Sequence, residues 1–372
     1  MLKMDKFTSS KETRTTLIQG GRNDLQEDLV EAAKQSDVRL LGPNTTGIIN
    51  SHSGLIATLE LMPPMRRGGV SVLSQTGMFG GFLLANLLAK EKFGISKVVG
   101  LGNKCDLTEA DFLDYLAQDD TTKVIVCYIE GFDTQDLEQV ARRVSSQKPI
   151  IVVRADKSDA GRQTMLMHTG SMRGSNEEFS ALCKAAGLIR ASTFEEMFDF
   201  VRAFSFLPLP KSNRVGIISN TGGGFVTAID NFQENQLELA TLSEGTVSKI
   251  RALSPDWHRI GNPVDMVAIY MQSDMNLSYE TAVESVLQDK NVDAILLIVG
   301  IVSPPVPSKL SVFKSEKLTK PVFLVTIGNE NYLAEIKSAA QHLPIYEDSV
   351  RAVRALSALT IYADWKTRKI PQ

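Results

Sequence analysis

The chain has 372 residues, and 40 Lys+Arg against 43 Asp+Glu leave a formal charge of −3 at pH 7. With 43% hydrophobic and 22% charged residues, it buries enough apolar surface to offset its ordering entropy, which excludes disorder as the dominant state. The near balance of charge provides no basic stripe for a phosphate backbone, and no apolar run approaches the roughly eighteen residues of a membrane helix, so neither nucleic acid nor membrane is expected as a partner.

In chain order, Met1–Thr16 is polar and mixed in charge, unlike a signal peptide. Leu25 to Ala33 has helical spacing, and Val38-Arg39-Leu40-Leu41 reads as a strand ending in Gly42-Pro43-Asn44. Val72-Leu73-Ser74-Gln75-Thr76-Gly77 follows an apolar run and opens a helix-like stretch, Phe82 to Lys90. It is echoed by Ile217-Ile218-Ser219-Asn220-Thr221-Gly222 before Val226 to Phe232. Gly102-Asn103-Lys104-Cys105-Asp106 is echoed by Gly261-Asn262-Pro263-Val264-Asp265, and Gln118-Asp119 by Gln288-Asp289. Lys148-Pro149 before Ile150–Val153 pairs with Lys320-Pro321 before Val322–Val325. The matches occur in one order, so the chain holds two homologous halves.

Each half alternates continuous Val/Ile/Leu runs, such as Ile295–Val299, with amphipathic stretches such as Asp111–Leu116 and Glu195–Val201. Runs of that kind suit parallel strands buried on both faces. The expected class is therefore α/β, with two successive flavodoxin-like doubly wound domains over 51–208 and 211–372. Pro208, Pro210, Lys211 and Ser212 mark the linker. Residues 1–50 are too few for a doubly wound domain of their own.

The halves differ in two places. A loop from about Lys157 to Ser175, absent from the second half, contains Met167-His168-Thr169-Gly170-Ser171 and follows the carboxyl end of an expected strand, where open α/β sheets place ligands. Glu130, in Tyr128-Ile129-Glu130-Gly131, aligns with Val299 before Gly300. A carboxylate at the end of a buried strand needs a partner, and a histidine N–H would supply one while raising the basicity of the other ring nitrogen. The repeated turns, with Gly77, Gly80 and Gly81 in one half and Gly222, Gly223 and Gly224 in the other, point free N–H groups and a positive dipole end at an anion. A loop histidine without a task and two ordinary capped helices would read the same way one at a time. Together they describe a site that holds a phosphoryl group on imidazole. The three cysteines, Cys105, Cys127 and Cys183, make no C-x-x-C pair and read as small buried hydrophobes in a reducing, cytoplasmic setting. His52, His258 and His342 form no metal-binding motif with His168, and no metal site is expected.

These motifs resemble the NDP-forming acyl-CoA synthetases, the family of ADP-forming acetyl-CoA synthetase and succinyl-CoA synthetase. The resemblance runs from about Arg39 to the C-terminus. It is carried by Gly42-Pro43-Asn44, Ser74 to Gly77, Asn103 with Asp106, Glu130, His168 to Ser171, Asn220 with Gly222-Gly223, and Asn262 with Asp265.

The resemblance implies conversion of a small carboxylic acid, CoA and ATP to acyl-CoA, ADP and phosphate. Acyl phosphate forms, and a histidine carries the phosphoryl group between two active sites. His168 matches that nucleophile, and Glu130 matches the glutamate that steadies it. Ser74, Gln75, Thr76 and Gly77 with Asn220, Thr221, Gly222 and Gly223 match the turns that cradle phosphate. Gly42, Pro43 and Asn44 match a CoA-binding segment, with Asn103, Asp106, Asn262 and Asp265 in support. CoA, and ATP with Mg, are thus expected as substrates, with no tightly bound cofactor. An ATP-grasp β subunit on another chain is the expected partner, within an oligomer. Residues 1–50 correspond to the last part of a Rossmann-like CoA-binding domain, and Thr45-Thr46 stands where relatives commonly have cysteine. A regulatory or scaffolding relative without its own CoA site, or a fragment of a longer synthetase, is the alternative.

Overall fold

The computed structural model describes residues 23–58, 65–77, 91–132, 134–154, 161, 174–301, 305–315 and 317–369. Contacts divide the chain into two compact units. The first comprises Met1–Ala141 with Arg154–Leu182, and the second Arg142–Val153 with Cys183–Gln372.

The first unit begins with helix α1 (Asn23–Gln35), which the Leu25–Ala33 spacing predicts. Val38–Leu41, expected as a strand, is not one. It lies along residues 103–107, where Leu107 N–H donates to Leu40 O at 3.1 Å. The Asp106 carboxylate, not a neighbouring backbone, accepts the Leu40 N–H at 2.7 Å, which breaks the ladder. Strands β1 (Gly47–Asn50) and β2 (Leu55–Thr58) form an antiparallel hairpin, and β1 pairs antiparallel with residues 97–99. After β3 (Arg67–Ser74) and β4 (Ile95–Gly100) come helix α2 (Glu109–Gln118) and strand β5 (Val124–Ile129). Thr108 and Asp111 start α2 with a reciprocal capping box. The strands lie in the order β2-β1-β4-β3-β5, with β4, β3 and β5 parallel. The parallel pattern follows from sequence for β5, which is almost continuously apolar, and both β4 and β5 are almost wholly buried, as a sheet covered on both faces requires.

Helix α3 (Thr134–Ser145), strand β6 (Ile150–Arg154) and helix α4 (Asn176–Ala186) follow. In the second unit β6 pairs in parallel with β7 (Ile189–Ala191), and helix α5 (Phe194–Phe206) comes next, capped by the Thr193 side chain on the Glu196 N–H. Pro208 lies in the irregular stretch between α5 and β8 (Arg214–Ser219).

The remaining elements are α6 (Gly222–Asp230), β9 (Glu238–Leu239), α7 (Glu244–Arg251), β10 (Val264–Asp265), α8 (Val267–Gln272) and α9 (Met275–Gln288). They end with β11 (Ala294–Ile301), β12 (Val322–Gly328), α10 (Glu330–Ala339), β13 (Ile345–Tyr346) and α11 (Ser349–Lys369). The strands run β10-β8-β11-β12-β13, all parallel, which is the doubly wound flavodoxin order. β4-β3-β5 repeats β10-β8-β11. Both halves are α/β and built on parallel strands, as expected from the sequence. Ile295 to Val299 are all 0% exposed, at the centre of the second core. Among the described residues no helix is long and apolar enough to cross a membrane.

Candidate functional site

In the first unit, the Ser74–Gly77 turn meets the Glu130-Gly131 corner at the carboxyl ends of β3 and β5. The Ser74 hydroxyl donates to Thr76 O at 2.7 Å, folding the turn that follows β3. The Gln75 N–H donates to Tyr128 O at 3.1 Å. Its side-chain Oε1 accepts the N–H groups of Glu130 at 2.9 Å and Gly131 at 3.3 Å. Glu130, buried at 6% exposure, is therefore fixed by its backbone to the turn that leads to Gly77. Lys104 holds the other side: its Nζ donates to Gly131 O at 2.6 Å and to Glu109 Oε1 at 2.5 Å. With both partners almost buried, the Lys104–Glu109 ion pair holds the ammonium that binds Gly131 O.

Gly42, Pro43 and Asn44 border this turn. Asn103 N–H donates to Pro43 O at 2.8 Å and Cys105 N–H to Gly42 O at 3.0 Å. Asn44 donates through Nδ2 to Asn103 Oδ1 at 3.1 Å. Asp106 accepts the Arg39 Nε–H at 2.9 Å and the Leu40 N–H. Asn103 and Asp106 thus brace the Leu40–Asn44 segment. Thr45 next to it donates to Gly100 O at 2.5 Å, and a Cβ on Gly77 would come within 3.2 Å of Thr46 Cγ2.

In the second unit the same turn recurs. Ser219 Oγ accepts the Thr221 N–H at 2.9 Å. The Asn220 amide spans both backbone groups of one residue: Nδ2 donates to Gly300 O and Oδ1 accepts Gly300 N–H, each at 2.8 Å. Gln75 and Asn220 are therefore staples between two strand ends, with their amides engaged by backbone. What remains for an anion is the backbone of the turn and the start of α6, where Thr221 provides no side-chain cap and a Cβ on Gly223 would meet nothing within 4 Å.

Strand register corrects two sequence alignments. Ser74 pairs with Tyr128 and Ser219 with Ile298, so the counterpart of Glu130 is Gly300, one residue beyond Val299. The second half has no room for a carboxylate there, because a Cβ on Gly300 would lie 2.2 Å from Thr221 Cγ2. Ser74 pairs with Gly100 and Ser219 with Asp265, so the two Gly-Asn motifs do not superimpose. Asn103 follows β4, whereas Asn262 precedes β10. Asn262 Oδ1 accepts the Ile217 N–H at 2.9 Å, and its Nδ2 donates to Val215 O and Ala240 O at 2.8 Å each. Those bonds are all to backbone, which makes Asn262 a strand fastener. Asp265 accepts the Val267 N–H at 3.0 Å and starts α8, and its carbonyl lies 3.2 Å from His258 Nε2.

His168 lies outside the described residues, as do Met167, Gly80 and Gly81. Sequence reasoning missed Lys104 and Arg154. Lys104 gave a signal only as a cation between Asn103 and Asp106, and Arg154 as a charge ending the apolar run Ile150–Val153. Cys127 and Cys183 are buried, as expected, while Cys105 is half-buried. Among the described residues no group of three His, Cys, Asp or Glu side chains is placed to hold a metal ion.

Residues 67–204 match the family model of the succinyl-CoA ligase like flavodoxin domain. The ADP-forming acetate–CoA ligase II of Archaeoglobus fulgidus is 34% identical over 340 residues, which cover 90% of this chain and 50% of that protein. This chain therefore spans about half the length of that relative. The alpha subunit of ADP-forming acetate–CoA ligase I from Pyrococcus furiosus is 33% identical over 355 residues, covering 92% of this chain and 74% of that subunit. Among solved structures, the dinucleotide forming acetyl-coenzyme A synthetase 1 of Ca. Korarchaeum cryptofilum, in complex with phosphate and ADP, superposes with a TM-score of 0.84 at 31% identity. That match covers 93% of this chain and 75% of the other. With the duplicated turns, the buried glutamate and these relatives in agreement, the chain belongs to the NDP-forming acyl-CoA synthetase family, of ADP-forming acetate–CoA ligase type.

Proposed function

We propose that the chain is the α-type, phosphohistidine-bearing part of an ADP-forming acyl-CoA synthetase, which converts a small carboxylic acid, CoA and ATP to acyl-CoA, ADP and phosphate. The observation that carries this reading is Glu130. It is a buried carboxylate at the end of β5, tied through Gln75 to a phosphate-type turn, and the duplicated turn has a glycine in its place. In this reading the neutral His168 imidazole attacks the phosphorus of acyl phosphate. The bond from phosphorus to the acyl oxygen breaks, and the carboxylate leaves with its electron pair. Glu130 orients the imidazole and stabilises its positive charge. Each of the two turns, Ser74–Gly77 in the first unit and Asn220–Gly223 in the second, offers backbone N–H groups suited to phosphoryl oxygens. Gly42, Pro43 and Asn44, braced by Asn103 and Asp106, would contact CoA. ATP with Mg would be held by an ATP-grasp β subunit, as the pairing of this chain with an alpha-subunit relative supports. The free thiols are in keeping with a reducing, cytoplasmic setting.

The test mixes the purified chain with its ATP-grasp partner and radiolabelled ATP. The wild type is expected to retain acid-labile, base-stable phosphate on His168, and His168→Ala to retain none. Labelling of His168→Ala at the wild-type level would overturn the assignment.

A further inference from the structure

We propose that Arg154 is the positioning residue that fixes the two roots of the segment carrying His168. This rests on the reading of His168 as the phosphoryl carrier. Arg154 ends β6, at the entry of the connection to α4 that contains His168, and is 2% exposed. Its guanidinium grips the last two residues of that connection: Nη1 donates to Ser175 O and Nη2 to Gly174 O, each at 2.6 Å. The residue at the entry of the insertion therefore holds its exit. The planar fork of arginine presents two parallel donors to two successive carbonyls, which a lysine ammonium, a single point charge on a flexible stem, does not reproduce.

Three further features make this clamp rigid. The guanidinium lies 5.0 Å from the Phe132 ring and 5.4 Å from the Phe179 ring, so aromatic faces stabilise the buried cation. Gly174 has φ +83°, and a Cβ there would lie 2.6 Å from Phe132 Cζ, so only glycine fits. Ser175 is locked at the start of α4, with its N–H donating to Glu178 Oε2 at 2.6 Å and its Oγ accepting the Glu178 N–H at 3.1 Å. Phe132 is two residues past Glu130, on the corner that Gln75 and Lys104 hold. The exit root is thereby referenced to the carboxylate that the carried imidazole must meet.

The second half supplies a control. Counting from the paired Lys-Pro motifs, the position of Arg154 is taken by Thr326, also 2% exposed, and there β12 is followed at once by α10 without an insertion. The arginine accompanies the insertion.

The experiment uses the full chain with its ATP-grasp partner. It measures the rate of phosphohistidine formation and native-state hydrogen exchange in wild type, Arg154→Met and Arg154→Lys. Both variants are expected to form phosphohistidine at least tenfold more slowly at saturating ATP, with the KM for ATP unchanged. Faster amide exchange is expected to be confined to Glu130–Phe132 and Gly174–Glu178. If Arg154→Met does not fold, Arg154→Lys, which keeps the cation, decides. A folded Arg154→Lys that forms phosphohistidine at the wild-type rate would overturn this inference alone. A wild type that carries no acid-labile phosphate would overturn the carrier reading, and this inference with it.

Discussion

Gly300 shows how one side chain fixes the difference between the two halves. A Cβ there would meet Thr221 Cγ2 at 2.2 Å, while its next neighbour, Asn220 Oδ1, lies 3.6 Å away. Gly300→Ala is therefore expected to lose about 1–3 kcal/mol through overpacking. Adding Thr221→Ser, which removes only that methyl group, should recover most of the loss in thermal unfolding. If the double variant is no more stable than Gly300→Ala, the contact is not the cause. The cysteines allow a second test. Burial pushes the Cys127 thiol well up, and burial followed by the charge of Asp106 raises Cys105. Thiolate is the reactive form, so native protein at neutral pH is expected to react slowly with iodoacetamide at both positions and readily once unfolded. Rapid native alkylation of Cys127 would contradict its placement.

At the scale of elements, two polar fastenings stand out inside the second unit. Asn262 satisfies one N–H and two carbonyls next to β8 and β9. Asn262→Ala strands those backbone groups, at a cost of about 2–4 kcal/mol, measurable by urea denaturation. Asp199 on α5 is only 3% exposed and accepts two bonds from Arg351 on α11, at 2.8 Å from Nε and 2.7 Å from Nη2, and one from Arg202 at 2.7 Å. Arg351→Met removes the bidentate partner of a buried carboxylate and should destabilise the unit by about 3 kcal/mol, the lower end of the range for broken buried pairs because Arg202 remains. An unchanged unfolding midpoint would show that the pair holds nothing. Gln75 and Asn220 show how far element positions could be read in advance. Their place after β3 and β8 was legible from the repeated turn, but their engagement with neighbouring strand ends was not. Which backbone group an amide meets depends on strands distant in sequence.

For the molecule as a whole, the duplication predicts a common acid sensitivity. Burial opposes ionisation of Asp119, but the Lys97 ammonium at 2.5 Å and the Thr121 and Thr122 hydroxyls outweigh it and hold the group at about 2. Asp289, its repeat in the other half, is also lowered: burial is outweighed by the N–H groups of Asn291 and Ser243 and the hydroxyls of Thr246 and Ser243. A folded value below the unfolded one of about 3.9 contributes stability that is present above about pH 4 and lost as pH falls towards 2. For Asp119 the contribution is on the order of 2 kcal/mol. Asp119→Asn should therefore lower stability near neutrality and flatten its fall between about pH 4 and 2, as followed by denaturant titration at each pH. A slope identical to wild type would remove Asp119 from the acid response.

The duplication, the α/β class, the helices at Leu25–Ala33 and Asp111–Leu116 and the asymmetry of Glu130 could be read from residues alone, because apolar periodicity and ordered repeats survive in one dimension. Register could not. Gly300 rather than Val299 is the counterpart of Glu130, Asn262 fastens strands where Asn103 braces a loop, and Val38–Leu41 gives a backbone bond to the Asp106 carboxylate instead of joining a sheet. Arg154 was a bare charge at the end of an apolar run until the fold brought Gly174, Ser175, Phe132 and Phe179 around it. Composition and spacing determine which segments become strands and helices. Hydrogen-bond partners between segments far apart in the chain are chosen only when the sheet closes, and those partners decide what each polar residue of the site holds.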